Sequence, residues 1–236
     1  MLLNHDNPGA SLMKKIRCGT LVFAAVALLA SCSDKKNTAV EKAFRSFSGK
    51  YVVLVVKKDF MLYVYARGSG VVKKYRIAYG LNPDGKPKLY SGDERTPEGV
   101  YSVSEMLSMD AGQSTESYKK LARMNSVFFR ARHGHYKYGK RNEDLGDNAY
   151  GPRFFLLDYP GTHDRVRYEK GLREGAIPVE NGIPRPIGHG IAIHGNCDVE
   201  SIGHLATSGC VRMYNDDIVE LEQYIQLGSP VIILPE

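Results

Sequence analysis

Thr207-Ser208-Gly209-Cys210-Val211-Arg212-Met213-Tyr214-Asn215-Asp216-Asp217, with Ile193-His194-Gly195 upstream of it, is the stretch on which the reading of this chain turns. It pairs a glycine-flanked cysteine with a histidine, the parts of a thiol nucleophile and its base. The thiolate is the reactive form of cysteine, and an imidazole within hydrogen-bond reach generates it. Gly209 leaves room beside the thiol, so that backbone N–H groups of Ser208, Gly209 and Cys210 can face a developing oxyanion. Apolar alternation leads into His194 and a helix signal follows Arg212, which places both residues at the ends of ordered elements.

Order and spacing exclude several other chemistries. Papain-like cysteines precede their histidine, whereas here His194 comes first; caspase-type sites keep this order but set the histidine about 50 residues upstream. Ser208 is not in a G-x-S-x-G setting, so it reads as a hydroxyl lining the pocket and not as a nucleophile. His189, His194, Cys197, His204 and Cys210 match no zinc-binding arrangement, and no metal or cofactor is expected.

The block resembles the L,D-transpeptidase catalytic domain, the YkuD-type family, whose pattern is Ile-His-Gly followed by Ser/Thr-His-Gly-Cys-Ile/Val-Arg-Met/Leu-x-Asn-x-Asp. Arg95-Thr96-Pro97-Glu98-Gly99-Val100-Tyr101 is similar to the family's Thr-Pro-x-Gly-x-Tyr segment, and Leu227-Gly228-Ser229-Pro230-Val231-Ile232-Ile233 to its closing strand. The resemblance covers about residues 50–236 and is loosest in the middle third. Ser208 stands where the family commonly has a histidine. The resemblance implies a mainly β fold, a barrel or sandwich of mixed strands with a few short helices. It implies a peptidoglycan L,D-transpeptidase in which Cys210 forms a thioester with a tetrapeptide stem, releases the terminal D-amino acid and passes the acyl group to an amine. A hydrolase on the same scaffold and a non-catalytic wall-binding protein are the alternatives. The Gly195 carbonyl is expected to orient His194. Arg212 is expected either to hold a substrate carboxylate or to pair with Asp216 or Asp217.

The 236-residue chain is long enough for one sizeable domain. It has no tryptophan and fifteen tyrosines, with short apolar runs between Gly/Pro-rich turns, a β-rich profile. Lys14, Lys15 and Arg17 precede the apolar run 21–30, about half of the ~20 residues a membrane span needs. Leu29-Ala30-Ser31-Cys32 has the form of a bacterial lipobox. Residues 1–31 are therefore expected to be a lipoprotein signal peptide, with Met13 as the natural start. Cys32 is the expected lipidation site and residues 32–49 a tether. The protein is expected at the cell envelope, held by lipid alone and facing the periplasm, with Ser33 favouring the outer membrane. Cys197 and Cys210 then remain, too few for a disulfide scaffold, with Cys197 read as a small buried apolar group and regulatory pairing with Cys210 as the alternative. The net charge of +6 suits an anionic wall polymer and is too evenly spread for nucleic acid. A monomer is expected.

Alternation predicts strands over 51–56, 60–66 and 71–78, the last two joined by Arg67-Gly68-Ser69-Gly70. Further strands are expected at 100–103, 154–159, 188–194 and 231–234. The insertion 105–148 reads as an amphipathic helix over 116–131 and then a cationic segment over 130–141, either a lid or a solvated loop. A last helix, capped by Asn215 or Asp216, is expected to reach Gln226.

Overall fold

The structure, a computed structural model, describes residues 36–82 and 84–235. The expected signal peptide and Cys32 lie outside the described residues. The chain divides after Thr38, and the unit from Ala39 onward carries the fold.

Its first strands follow the alternation closely: β1 (Tyr51–Val56), β2 (Met61–Ala66) and β3 (Gly70–Gly80), followed by β4 (Gly99–Ser108). Helix α2 (Glu116–Asn125), the short strands β5 (Tyr136–Lys137) and β6 (Lys140–Asp144), and β7 (Arg153–Leu157) come next. Helix α3 (Thr162–Arg173) and the hairpin β8 (Val179–Glu180) and β9 (Ile183–Pro184) lead to β10 (Ala192–His194), β11 (Leu205–Thr207) and β12 (Val211–Met213). Helix α4 (Asn215–Leu221) and β13 (Pro230–Leu234) end the fold.

Nine strands form one sheet in the order β11-β3-β12-β10-β7-β4-β13-β1-β2, and β2 pairs back with β3, closing it into a barrel. Two long strands make the closure. β3 pairs with β2 over 70–76 and then with β12 through Ile77 and Ala78. β4 pairs with β13 through Gly99–Ser102, then with β7 from Val103, with a register irregularity between Val103 and Glu105. Such an irregularity bends a strand and lets one strand serve two sheet directions. β1–β13, β10–β12 and β11–β3 run parallel among antiparallel neighbours. The fold is thus mainly β, with mixed strands and few short helices.

One side of these strands, including Val53, Val55, Leu62, Val64, Phe155, Ile193, Val211 and Val231, fills the barrel with Ile218 and Leu221 of α4. Because side chains alternate, β1 also buries Val52, Leu54 and Val56 on its other face. That second face needs a cover, and here the structure corrects the expected tether. Residues 36–46 are helical (α1). Val40 and Ala43 are buried against Val52, Leu54, Val56 and Ile232. Arg67 then ties the helix end to the barrel through the carbonyls of Phe44, Phe47 and Gly49. The apolar spacing Val40, Ala43, Phe44, Phe47 sits among charged residues and reads as polar unless the period is counted.

Other elements depart in detail. α2 stops at Asn125, whose side chain turns away to donate to Gly151 O and accept from Tyr150 N. α3 was not expected, and α4 is capped at Tyr214 by backbone alone, with Asn215 engaged elsewhere. The terminal helix gives way to a 3-10 turn at Glu222–Tyr224.

Val40→Asp should destabilise the fold by about 3 kcal/mol, because it places an unpaired carboxylate against the outer face of β1. Urea unfolding of the two proteins measures this; an unchanged midpoint would return residues 39–48 to the role of a tether.

Candidate active site

β10 and β12 lie side by side in parallel, Ile193 opposite Val211 and His194 opposite Arg212. Alternation then sorts the residues. Ile193, Val211 and Met213 enter the barrel core, while Ala192 and Cys210 fall on the other face with Leu107, Leu121 and Phe154. His194, at the end of β10, and Cys210, just ahead of β12, are well separated in sequence and become diagonal neighbours. Both line a cavity of about 120 Å³ with Tyr150, Ser208 and Arg212.

His194 is buried, between the ring of Phe154 at 5.9 Å and that of Tyr150 at 5.2 Å. Its Nδ1 lies 2.6 Å from the Gly195 carbonyl oxygen. A carbonyl only accepts, so Nδ1 carries the proton and Nε2 keeps its lone pair. Burial lowers the imidazole pKa to about 3; the Arg212 charge adds to this, and the bond to Gly195 opposes it. The half-buried Cys210 thiol is pushed up, again chiefly by burial, against the pull of the Ala192 N–H, Arg212 and Lys88. The resting pair is therefore a thiol beside a neutral imidazole, suited to general-base transfer of the thiol proton.

Thr207 shapes the turn that presents the cysteine. Its hydroxyl donates to Cys210 O at 2.7 Å and accepts from Gly209 N at 3.1 Å. Gly209 has a φ of 136°, and a Cβ there would meet Arg95 O at 2.7 Å, so only glycine fits. The expectation that Gly209 N–H faces an oxyanion is corrected, because Thr207 Oγ1 already takes it.

Arg212 is buried, and Nη1 donates to Ser201 Oγ at 3.0 Å, while Nε has no partner among the described residues. Burial lowers its pKa, and Asp198 is the acid that most supports its charge. The expected pairing with Asp216 or Asp217 is not the arrangement found: those two residues sit in the first turn of α4, where carboxylates suit the helix dipole.

The insertion forms part of the wall. Phe129, His135 and Leu145 line the cavity holding Cys210, and Gly134, Tyr136 and Tyr138 line a neighbouring space of about 60 Å³ that also meets Ser208 and Arg212. Phe129 bridges Gly146 at the base of this flap. At its tip Tyr138 N donates to Asp198 Oδ2 at 2.8 Å, and the Tyr138 ring stacks on His204 at 4.3 Å. Cys197 and Cys210 are free thiols, and Cys197 contacts Leu145 O at 3.3 Å. His189 is exposed. Among the described residues no three His, Cys, Asp or Glu side chains converge as metal ligands. Tyr150, Phe129 and Leu145 also line the cavity, and nothing in the sequence reading singles them out.

The barrel thus sets a thiol and a neutral histidine on the wall of one cavity, next to the inserted flap. The model of the L,D-transpeptidase catalytic domain, YkuD, matches residues 50–233, and the chain belongs to that family. The Bacillus subtilis (strain 168) protein named "Putative L,D-transpeptidase YqjB" is 30% identical over 138 residues, which cover 58% of this chain and 59% of that protein. The structure of Bdellovibrio bacteriovorus Bd1075 matches at 24% identity and a TM-score of 0.44, covering 80% of this chain and 49% of that one. The helical cell shape determining protein Pgp2 from Campylobacter jejuni matches at 21% identity and a TM-score of 0.44, covering 79% and 49%. The chain thus spans well under two thirds of the length of each of these three.

An unfolded chain protonates a histidine near pH 6.5, and the folded one protonates His194 only near 3. Between those values the unfolded state holds the extra proton, so stability falls as pH is lowered through that window, by about 1 kcal/mol per pH unit. Urea unfolding at pH 7, 6 and 5 should show this slope, and His194→Gln should make it shallower. Equal slopes in the two proteins would mean that His194 titrates normally.

Proposed function

We propose that this protein is a cysteine-dependent peptidoglycan L,D-transpeptidase, acting on tetrapeptide stems through a thioester on Cys210. The observation that carries the reading is the bond from His194 Nδ1 to Gly195 O, which leaves Nε2 as a base in the cavity that Cys210 lines. Family membership supports the substrate class.

His194 Nε2 takes the thiol proton as the sulfur attacks the carbonyl carbon of the third stem residue. The N–H groups of Ser208 and Cys210 hold the resulting oxyanion, a contribution of about 3 kcal/mol for each such donor in other acyl-transfer enzymes. Collapse breaks the peptide bond, and the departing amine of the D-amino acid takes the proton back from His194. An acceptor amine then attacks the thioester, gives its proton to His194, and the thiol is restored. Arg212, buried with Nε unpartnered among the described residues, holds the terminal carboxylate of the donor. The reading includes attachment at the cell envelope by a lipid on Cys32; a radiolabelled fatty acid should enter the wild-type protein and not Cys32→Ala.

Incubation with a carbapenem should add one adduct by intact mass. It should be absent in Cys210→Ala and slower by about 10²–10⁴ in His194→Ala, the usual worth of a general base. An adduct carried by Cys197 in Cys210→Ala would identify a different nucleophile. With muropeptides, crosslinked products support the transfer reaction, whereas trimmed tripeptide stems alone would make water the acceptor. Ser208→Ala should cost about 1 kcal/mol or less in acylation, the value of an ordinary hydrogen bond. Arg212→Gln should raise KM about tenfold for stems with a free terminal carboxylate and little for stems whose terminus is amidated.

A further inference from the structure

The Gly195–Asn196 peptide unit is gripped at both ends. Its carbonyl, Gly195 O, accepts from His194 Nδ1 at 2.6 Å. Its N–H, on Asn196, donates to Asn215 Oδ1 at 2.8 Å. The same Oδ1 lies against two glycines: a Cβ built on Gly195 would come within 2.4 Å of it, and one on Gly151 within 2.5 Å. Both positions are therefore closed to any side chain while Asn215 holds its place. The Asn196 side chain adds two further ties, donating from Nδ2 to Met213 O and accepting at Oδ1 from Asp198 N at 2.7 Å.

From this geometry we infer that Asn215 is a positioning residue for the reaction, acting on His194 through the single Gly195–Asn196 peptide. The inference rests on the reading of His194 as the base. A hydrogen bond accepted from a peptide N–H polarises that peptide and strengthens its carbonyl as an acceptor. A stronger, fixed acceptor at Gly195 O keeps the histidine proton on Nδ1 and leaves Nε2 free for the thiol. Carboxylates usually perform this task directly on a histidine; here an amide does so one peptide removed, without placing a negative charge beside the buried ring. It also explains why an asparagine follows the cysteine block at the first position of α4, where its side chain reaches back toward β10 in place of capping the helix. The position is exposed enough to accept a carboxylate.

The test uses the full chain labelled with ¹⁵N-histidine, with Asn215→Ala and Asn215→Asp as variants and His194→Gln to assign the signal. Wild type at pH 7 should show His194 as one tautomer with the proton on Nδ1. Asn215→Ala should give a mixture of tautomers and slow β-lactam acylation by about tenfold through kcat with KM little changed, the size of one lost hydrogen bond. Asn215→Asp keeps an acceptor oxygen and should restore both. An unchanged tautomer and rate in Asn215→Ala would overturn the inference. If Asn215→Ala does not fold, Asn215→Asp decides: a folded Asn215→Asp with mixed tautomers overturns it, and a single Nδ1–H tautomer upholds it. Failure of the underlying reading looks different, because His194→Gln would then acylate at the wild-type rate whatever the tautomer data show.

Discussion

The parallel ladder between β10 and β12 joins only Ile193 to Val211 and His194 to Arg212, yet the rest of the site depends on it. Strand alternation sends one set of side chains into the barrel and gathers His194, Cys210 and Arg212 on the other face. The ladder holds because its inner face is anchored by Ile193, Val211 and Met213, all fully buried. Each of the two strands has one further partner, β7 for β10 and β3 for β12, and these neighbours frame the pair and connect it to the closed barrel.

Burial governs the electrostatics of the face so formed. It favours the neutral imidazole and the protonated thiol, and it lowers the pKa of Arg212, a cation that among the described residues bonds to the Ser201 hydroxyl and to no carboxylate. In the proposed acyl transfer these tendencies pull against one another. The Arg212 charge favours the sulfur and oxygen anions that form in the cavity, and it disfavours the imidazolium formed with them. An imidazolium held beside a cation is a strong acid, ready to give its proton to a departing amine. Beneath the turn that carries the cysteine, Lys88 and Asp93 form a buried pair at 2.7 Å, and Asp93 also accepts from the backbone of Leu89, Tyr90 and Arg95. That carboxylate stiffens the loop whose Arg95 carbonyl packs against Gly209.

Legibility followed the length of each repeating pattern. β1, β2 and β3 were placed within a residue or two because each runs for six residues or more with clear alternation or a continuous apolar run. The strand expected over 188–194 is present as β10 but only over Ala192–His194, and β11 and β12 have three residues each, too few for a period of two to stand out. α3 gives no apolar period in the sequence, because its surface is largely charged and only Asp164 and Gly171 are buried. α1 was read as a tether because charge content outweighed four apolar residues at helical spacing. Its need is evident only once β1 is seen to bury both faces, which no inspection of residues 33–48 by themselves reveals.

Local chemistry determined a good deal by sequence alone: a glycine-flanked cysteine, a histidine ahead of it followed by glycine, and an arginine two residues beyond, with the family resemblance that these carry. What those side chains do to one another was decided by tertiary structure. Arg212 faces Ser201 and Asp198 because β12 runs beside the loop after β10, while Asp216 and Asp217 turn onto α4. Gly209 N–H is lost to Thr207 because the turn is tight. Asn215 meets the peptide behind His194 because two strands and a helix start converge there. Covalent neighbours set which groups are present, but hydrogen-bond partners and burial depend on distances between segments far apart in the chain, and those distances exist only in the closed barrel.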